Sequence, residues 1–185
     1  MDDTHTCLNW TRGRTSVECK SISRVERCCP FLKLHGGAEM QLEYICDMEL
    51  VYREASLYAD KFLLVRPYGG EEGTGYGEGD GSVMGPRIQG SLRWVNHPHR
   101  RSDGTMLPDA HGVIVTHDDA VIMFTLQGRT VFEQEQGKQL LSVIFEAESE
   151  SYNWLNATFC VLEGLIDGER LRMRARVYAC RSDLV

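Results

Sequence analysis

Asp109 and His111 are the residues whose types and spacing best suit catalysis. Two apart in an extended stretch, their side chains point to one side of a strand. The carboxylate would then orient the imidazole and raise its basicity, giving a general acid or base near neutral pH. If that side faces an enclosed centre, the pair sits in a pocket; if not, it is a hydrogen-bonded polar pair at a barrel rim. The expectation for the pocket is that His111→Ala abolishes turnover and spares the fold.

Other side chains would serve a substrate. Arg87, with Gln89 beside it, reads as strand, and Arg129 shares a side with Gln127 and Thr125. An arginine turned inward must be paired or bind an anion, because an unpaired buried charge is costly. Arg101, in a positive run from His97, can hold a carboxylate through its two-pronged guanidinium or form a solvated loop. Trp154 and Asn156 share a parity, as pocket floor and oxyanion donor, or as barrel plug and turn tie. Nucleophile elbows and metalloprotease helices are missing from the sequence. The four early cysteines, Cys7, Cys19, Cys28 and Cys29, are spaced wrongly for a zinc knuckle with His5 or His35. No metal and no cofactor is expected.

These residues need strands to position them. From Met40, QLEYICDMELVY alternates apolar and polar side chains, the mark of a half-buried antiparallel strand. Residues 53–66 read as a short helix or loop ending in an apolar stub, and the glycine-dense 67–81 as loop. Further strands are expected over 82–95, 109–117, 120–129, 141–149, 154–166 and 169–180, with turn signals at Asp118-Asp119 and Asp167-Gly168. In the last strand Leu171, Met173, Ala175 and Val177 alternate against Arg172, Arg174, Arg176 and Tyr178. Seven or so strands with short turns make an all-β sandwich or closed antiparallel barrel with at most one short helix. The boundaries are a poorly ordered extension over 1–39 and a single barrel domain over 40–185.

Composition narrows the function. A net charge of −7 over 185 residues disfavours nucleic acid as a partner, since phosphate binding needs concentrated Lys and Arg. No apolar run is long enough to span a membrane. Seven cysteines without regular spacing, and an N-terminus unlike a secretory signal, read as reduced thiols in a cytoplasmic protein.

Several motifs together resemble the family called domain of unknown function 3237. They are GPRIQGSLRWV from Gly85, RSDG at Arg101–Gly104, PDAHGVIVTHDDA from Pro108, and Tyr152, Trp154, Leu155 and Asn156. The resemblance spans about residues 40–180 and implies a lipocalin-like or streptavidin-like barrel, with no assigned activity. The chain departs from the family where an arginine is common and His111 stands.

Three functions fit. One is a small-molecule enzyme running cofactor-independent acid/base chemistry of isomerase, cyclase or lyase type on an aromatic or polyketide-like substrate. The second is a carrier for a hydrophobic or aromatic ligand, and the third a structural module. Exposed strand edges add the expectation of a homodimer.

Overall fold

The computed structural model describes residues 40–54 and 59–182. The N-terminal extension, with its cysteines and the zinc reading, lies outside them. Eleven strands form one antiparallel sheet: β1 (Gln41–Arg53), β2 (Leu63–Val65), β3 (Gly73–Met84), β4 (Gln89–Asn96), β5 (His99–Arg100), β6 (Met106–Leu107), β7 (Asp109–Thr116), β8 (Val121–Glu133), β9 (Gln136–Ala147), β10 (Cys160–Asp167) and β11 (Arg172–Arg181). The long strands pair in the circular order β1-β11-β10-β9-β8-β7-β4-β3, and β3 returns to β1. Among the described residues this is a closed barrel of about eight strands, a size whose interior is filled by side chains or holds one small ligand. No helix among the described residues is long and apolar enough to cross a membrane.

Period-two alternation places the core as the sequence leads one to expect. Met48 and Leu50 of β1, Phe124 and Leu126 of β8, Leu141, Val143 and Phe145 of β9, and Met173, Ala175 and Val177 of β11 all point inward. A register shift between Tyr44 and Cys46 turns Leu42 and Tyr44 outward, so the inward set of β1 begins at Ile45.

Three expected boundaries are corrected. The glycine-dense stretch is not loop throughout: from Gly73 it is the longer part of β3. Its glycines at 73, 75, 77 and 79 fall on the inward parity and are buried, where neighbouring groups leave no room for side chains. A Cβ at Gly75 would lie 2.6 Å from the Phe62 ring. The segment expected as a strand over 82–95 is broken by a turn, Gly85–Ile88, between β3 and β4. Residues 153–157 form a short 3-10 turn, and β10 begins only at Cys160.

Burial makes one core thiol a source of alkaline sensitivity. The Cys46 thiol is pushed from its ordinary 9.0 up to about 12, chiefly by desolvation. Above pH 9 the unfolded chain releases a proton that the folded chain keeps, so stability present below 9.0 is lost progressively towards pH 12. Urea melts at stepped pH should show this decline, and Cys46→Ala should make it shallower. An equal slope in the variant would assign the loss to other groups.

Candidate functional site

The two ends of the barrel differ. One end is plugged. There the 3-10 turn carries Asn156, whose side chain grips one backbone unit: Ala147 N–H donates to Oδ1 at 2.8 Å, and Nδ2 donates to the Ala147 carbonyl at 2.9 Å. Trp154 packs against the core, and the Arg87 guanidinium lies 3.5 Å from its ring centroid. Arg87 also pairs with Glu43 at 3.2 Å. Tyr152 and Thr116 both donate to Asp118 Oδ1, at 2.9 and 2.6 Å, and these bonds hold the Asp118 carboxyl below its ordinary value. The residues GPR, T-x-D and Y-x-W-L-N therefore converge on one structural plug. Arg87, Trp154 and Asn156, expected as ligand binders, all sit in this plug, and Arg87 lies in a turn instead of a strand.

Asn156→Ala should cost about 1–2 kcal/mol, since both bonds to Ala147 vanish at a partly exposed site. A melting curve displaced downward by a few degrees checks it; an unmoved curve would show the plug holds without this clamp.

Asp109 and His111 touch, but on the outside. His111 Nε2 lies 3.2 Å from Asp109 Oδ1, and Gln127 Nε2 donates to the same oxygen at 2.9 Å. The carboxylate only accepts, so Nε2 is the donor of that pair, while Nδ1 lies 3.2 Å from the Thr125 hydroxyl. Hydroxyl, imidazole and carboxylate thus follow one another as in a nucleophile relay. The inward parity of β7, however, belongs to Ala110, Ile114 and Thr116. The Asp109 and His111 side chains are 46% and 53% exposed on the opposite face of the sheet. Backbone amides there are engaged by the ladders with β4 and β8, and that of Asp109 by Asn96 Oδ1, so among the described residues no free backbone donor faces the relay. The expected pocket dyad is corrected to a solvated surface pair. Arg101 forms an exposed pair with Asp103 at 3.3 Å in the turn before β6, and Arg129 points outward from β8. The sequence-based set is not brought together at one site.

At the opposite end the described residues enclose a cavity, and the interior turns polar there. Asn96 of β4, Thr130 of β8 and Gln139 of β9 are buried on the inward parity, beside the Tyr52 hydroxyl of β1. They line a cavity of about 380 Å³ walled by Phe62, Met106, Phe132, Ile166 and Leu171. Asn96 is fixed from both sides: its Oδ1 accepts from the Asp109 amide at 3.1 Å, and its Nδ2 donates to Tyr52 Oη at 3.2 Å. Gln139 Nε2 donates to Thr130 Oγ1 at 2.7 Å. The Tyr52 ring stands edge-on to Trp94 and Phe62, with centroids 4.5 and 5.8 Å away. Burial raises its phenol pKa, with the Asn96 hydrogen bond acting in the opposite sense. At neutral pH Tyr52 is a neutral phenol: a proton donor, not a base. Arg100 of β5 reaches the same cavity from the rim, where its Nη2 donates to Glu71 at 2.6 Å.

Sequence reasoning missed Tyr52, Asn96, Thr130 and Gln139, and met Arg100 only as part of the positive run from His97. The available signal was parity: Asn96 continues Leu92 and Trp94, Thr130 continues Ile122, Phe124 and Leu126, and Gln139 precedes Leu141, Val143 and Phe145.

A closed antiparallel barrel with one plugged end and one polar mouth is a form that suits the enclosure of a small ligand. Solved structures share the barrel fold. A β-barrel-like protein of Acinetobacter baumannii matches 80% of this chain and 99% of its own at TM-score 0.68 and 16% identity. An enzyme of Penicillium herquei matches 78% and 97% at TM-score 0.54 and 20% identity. In sequence, 77 residues are 34% identical to the hydroalkoxylation enzyme phnH of Penicillium herquei, covering 41% of this chain and 46% of that relative. The match therefore spans less than half the length of a relative that is itself an enzyme. No family model matches the chain.

Proposed function

We propose that the protein is a small-molecule enzyme that closes a ring by adding a hydroxyl across a carbon–carbon double bond inside the barrel mouth. The observation carrying this reading is the cluster of buried polar groups at one end of an apolar barrel, with a neutral phenol among them. Sequence similarity to a hydroalkoxylation enzyme supports the reaction type.

The reaction is an isomerisation. The hydroxyl oxygen forms a C–O bond to one alkene carbon, the π bond is consumed, and a proton arrives on the other carbon. Tyr52 is the acid: it gives its hydroxyl proton to that carbon and takes back the one released by the substrate oxygen. No electrons are exchanged with a partner. Asn96 holds Tyr52 in place, and the aromatic and aliphatic walls keep water from competing as nucleophile. His111 and Asp109, outside the barrel, take no part.

Incubation with a panel of alkenyl phenols, followed by chromatography and mass spectrometry, tests this. Expected is a cyclic ether of unchanged mass and shifted retention from at least one member, formed as readily by His111→Ala. Loss of turnover in His111→Ala would return the chemistry to the outer face. Binding of the panel without any conversion would refute catalysis at the mouth.

A further inference from the structure

The outer wall of the barrel has two unlike sectors. Over β11, β1, β3 and β4 the charges are matched within the chain: Arg172 with Glu49, Arg176 with Asp47, and Arg53 and Arg93 with Asp80. Over β7, β8 and β9 the outward side chains include Val115, Val121, Met123, Ile144 and Leu140, each between 43% and 66% exposed. Register joins them: Val115 lies opposite Val121, Val113 opposite Met123, and Thr125 opposite Ile144. A contiguous apolar face of this kind marks an interaction surface. Arg129, Glu146 and Glu148, on the same face, form no ion pair among the described residues. Because the long strands close on themselves, a second chain meets this barrel through a face and not through a long strand edge.

The occupant follows from the pattern of charge. In the β8–β9 ladder Leu126 lies opposite Val143. Above that level the face carries the pair Met123 and Glu146, with Val121 and Glu148 beyond; below it, at equal spacing, it carries Arg129 and Leu140, then Val131 and Lys138. Lys138 is bonded to Glu133. The two halves are alike in apolar content and opposite in charge. A two-fold axis lying across the strands at the Leu126 level therefore stacks two copies with their strands antiparallel and each half over its complement. Facing sheets pack about 10 Å apart, within reach of these side chains. Val121, Met123, Ile144, Glu146 and Glu148 line one shallow groove, and Leu140, at 66% exposed, is the knob that fits it. We infer that this sector is an isologous interface between two copies of the chain. Leu140 of each seats in the groove of the other, with Arg129 against Glu146. A net charge of −7 makes two copies repel at a distance, and this face supplies the local compensation. None of these side chains lines the cavity at the mouth, so the inference stands apart from the proposed reaction.

Sedimentation velocity of the full chain, from micromolar to hundreds of micromolar and with a reductant to remove thiol cross-links, tests this. Expected is a reversible species of twice the chain mass. Met123→Glu, which sets a charge in the apolar contact, should sediment as a monomer throughout and melt with the wild type. Arg129→Glu and Glu146→Arg should each weaken the dimer about a hundredfold, because like charges then face each other at both symmetric places. The double variant carrying both reversals should regain most of that loss. Arg174→Glu, on the charge-matched sector, should leave association unchanged. A monomer at every concentration would overturn the inference and leave the face to a different partner. A dimer indifferent to Met123→Glu, or weakened as much by Arg174→Glu, would place the contact elsewhere. A double reversal no tighter than the single ones would overturn the antiparallel two-fold.

Discussion

Replacing Tyr52 with phenylalanine is expected to lower turnover about a hundredfold or more, the usual scale for loss of a positioned acid, and to leave the barrel folded. The substitution keeps the ring edge-on to Trp94 and Phe62 and removes only the oxygen. Asn96 Nδ2 loses its acceptor, a cost of about 1 kcal/mol. What disappears chemically is the phenol proton. Asn96 donates to Tyr52 Oη, and no acceptor within the described residues takes the proton of Tyr52 itself, so that proton is available to the cavity. The affinity for substrate should change little while kcat falls, because the proton is needed in the transition state more than in the bound complex. Burial carries the Tyr52 phenol above its ordinary 10.0, so the wild-type rate should lose its acid only when the pH rises beyond that value. A Tyr52→Phe enzyme with normal kcat would remove Tyr52 from the reaction.

Gly81→Ala should be a strongly damaging small substitution in the barrel wall. Gly81 faces Leu50 across the β1–β3 ladder, the pairing through which β3 returns to β1. A Cβ there would overlap the Glu49 carbonyl oxygen, sit 3.0 Å from the carbonyl carbon, and lie 3.1 Å from Leu92 Cδ1. The main obstacle is backbone, which cannot swing aside as a flexible side chain can. Either β1 shifts or the seam opens. Overpacking of this kind costs about 3 kcal/mol, a fall in Tm of roughly 6–12 °C at the size of this domain. Gly70→Ala, where a Cβ meets open space, should melt with the wild type. Equal melting of the two variants would mean that the seam is not closed in this register.

Much of the barrel was legible in single segments. Residues 171–178 alternate cleanly because an apolar interior and a wet exterior impose opposite demands on successive side chains. The glycines of β3 misled for a physical reason. Glycine abundance signals a turn, but here glycine recurs at every second position from 73 to 81, the pattern of a strand whose inward face must stay bare against neighbouring groups. Trp154 to Asn156 read as strand because they are flanked by apolar residues; the reciprocal bonds between Asn156 and Ala147 wind them into a turn that no strand period encodes.

The contact between Asp109 and His111 followed from their spacing, but the side of the sheet did not. Along β7 the inward residues Ala110 and Gly112 are small, at Gly112 because the Phe124 ring occupies the space, while the outward parity carries Val113 and Val115. The parity that reads as core is therefore the outer one. Asn96, Thr130 and Gln139 were hidden for a simpler reason. They extend the inward parity by a few residues at strand ends, and the expected strands stopped at 95, at 129 and before 141.

The mouth as the working site is tested most directly by following backbone amide signals in nuclear magnetic resonance while an alkenyl phenol is titrated in. The amides of Asn96, Gly104, Thr130, Gln139 and Ile166 are predicted to move together and saturate with one binding constant. Movement confined to His111, Thr125 and Gln127 on the outer face, with the mouth signals still, would contradict the assignment.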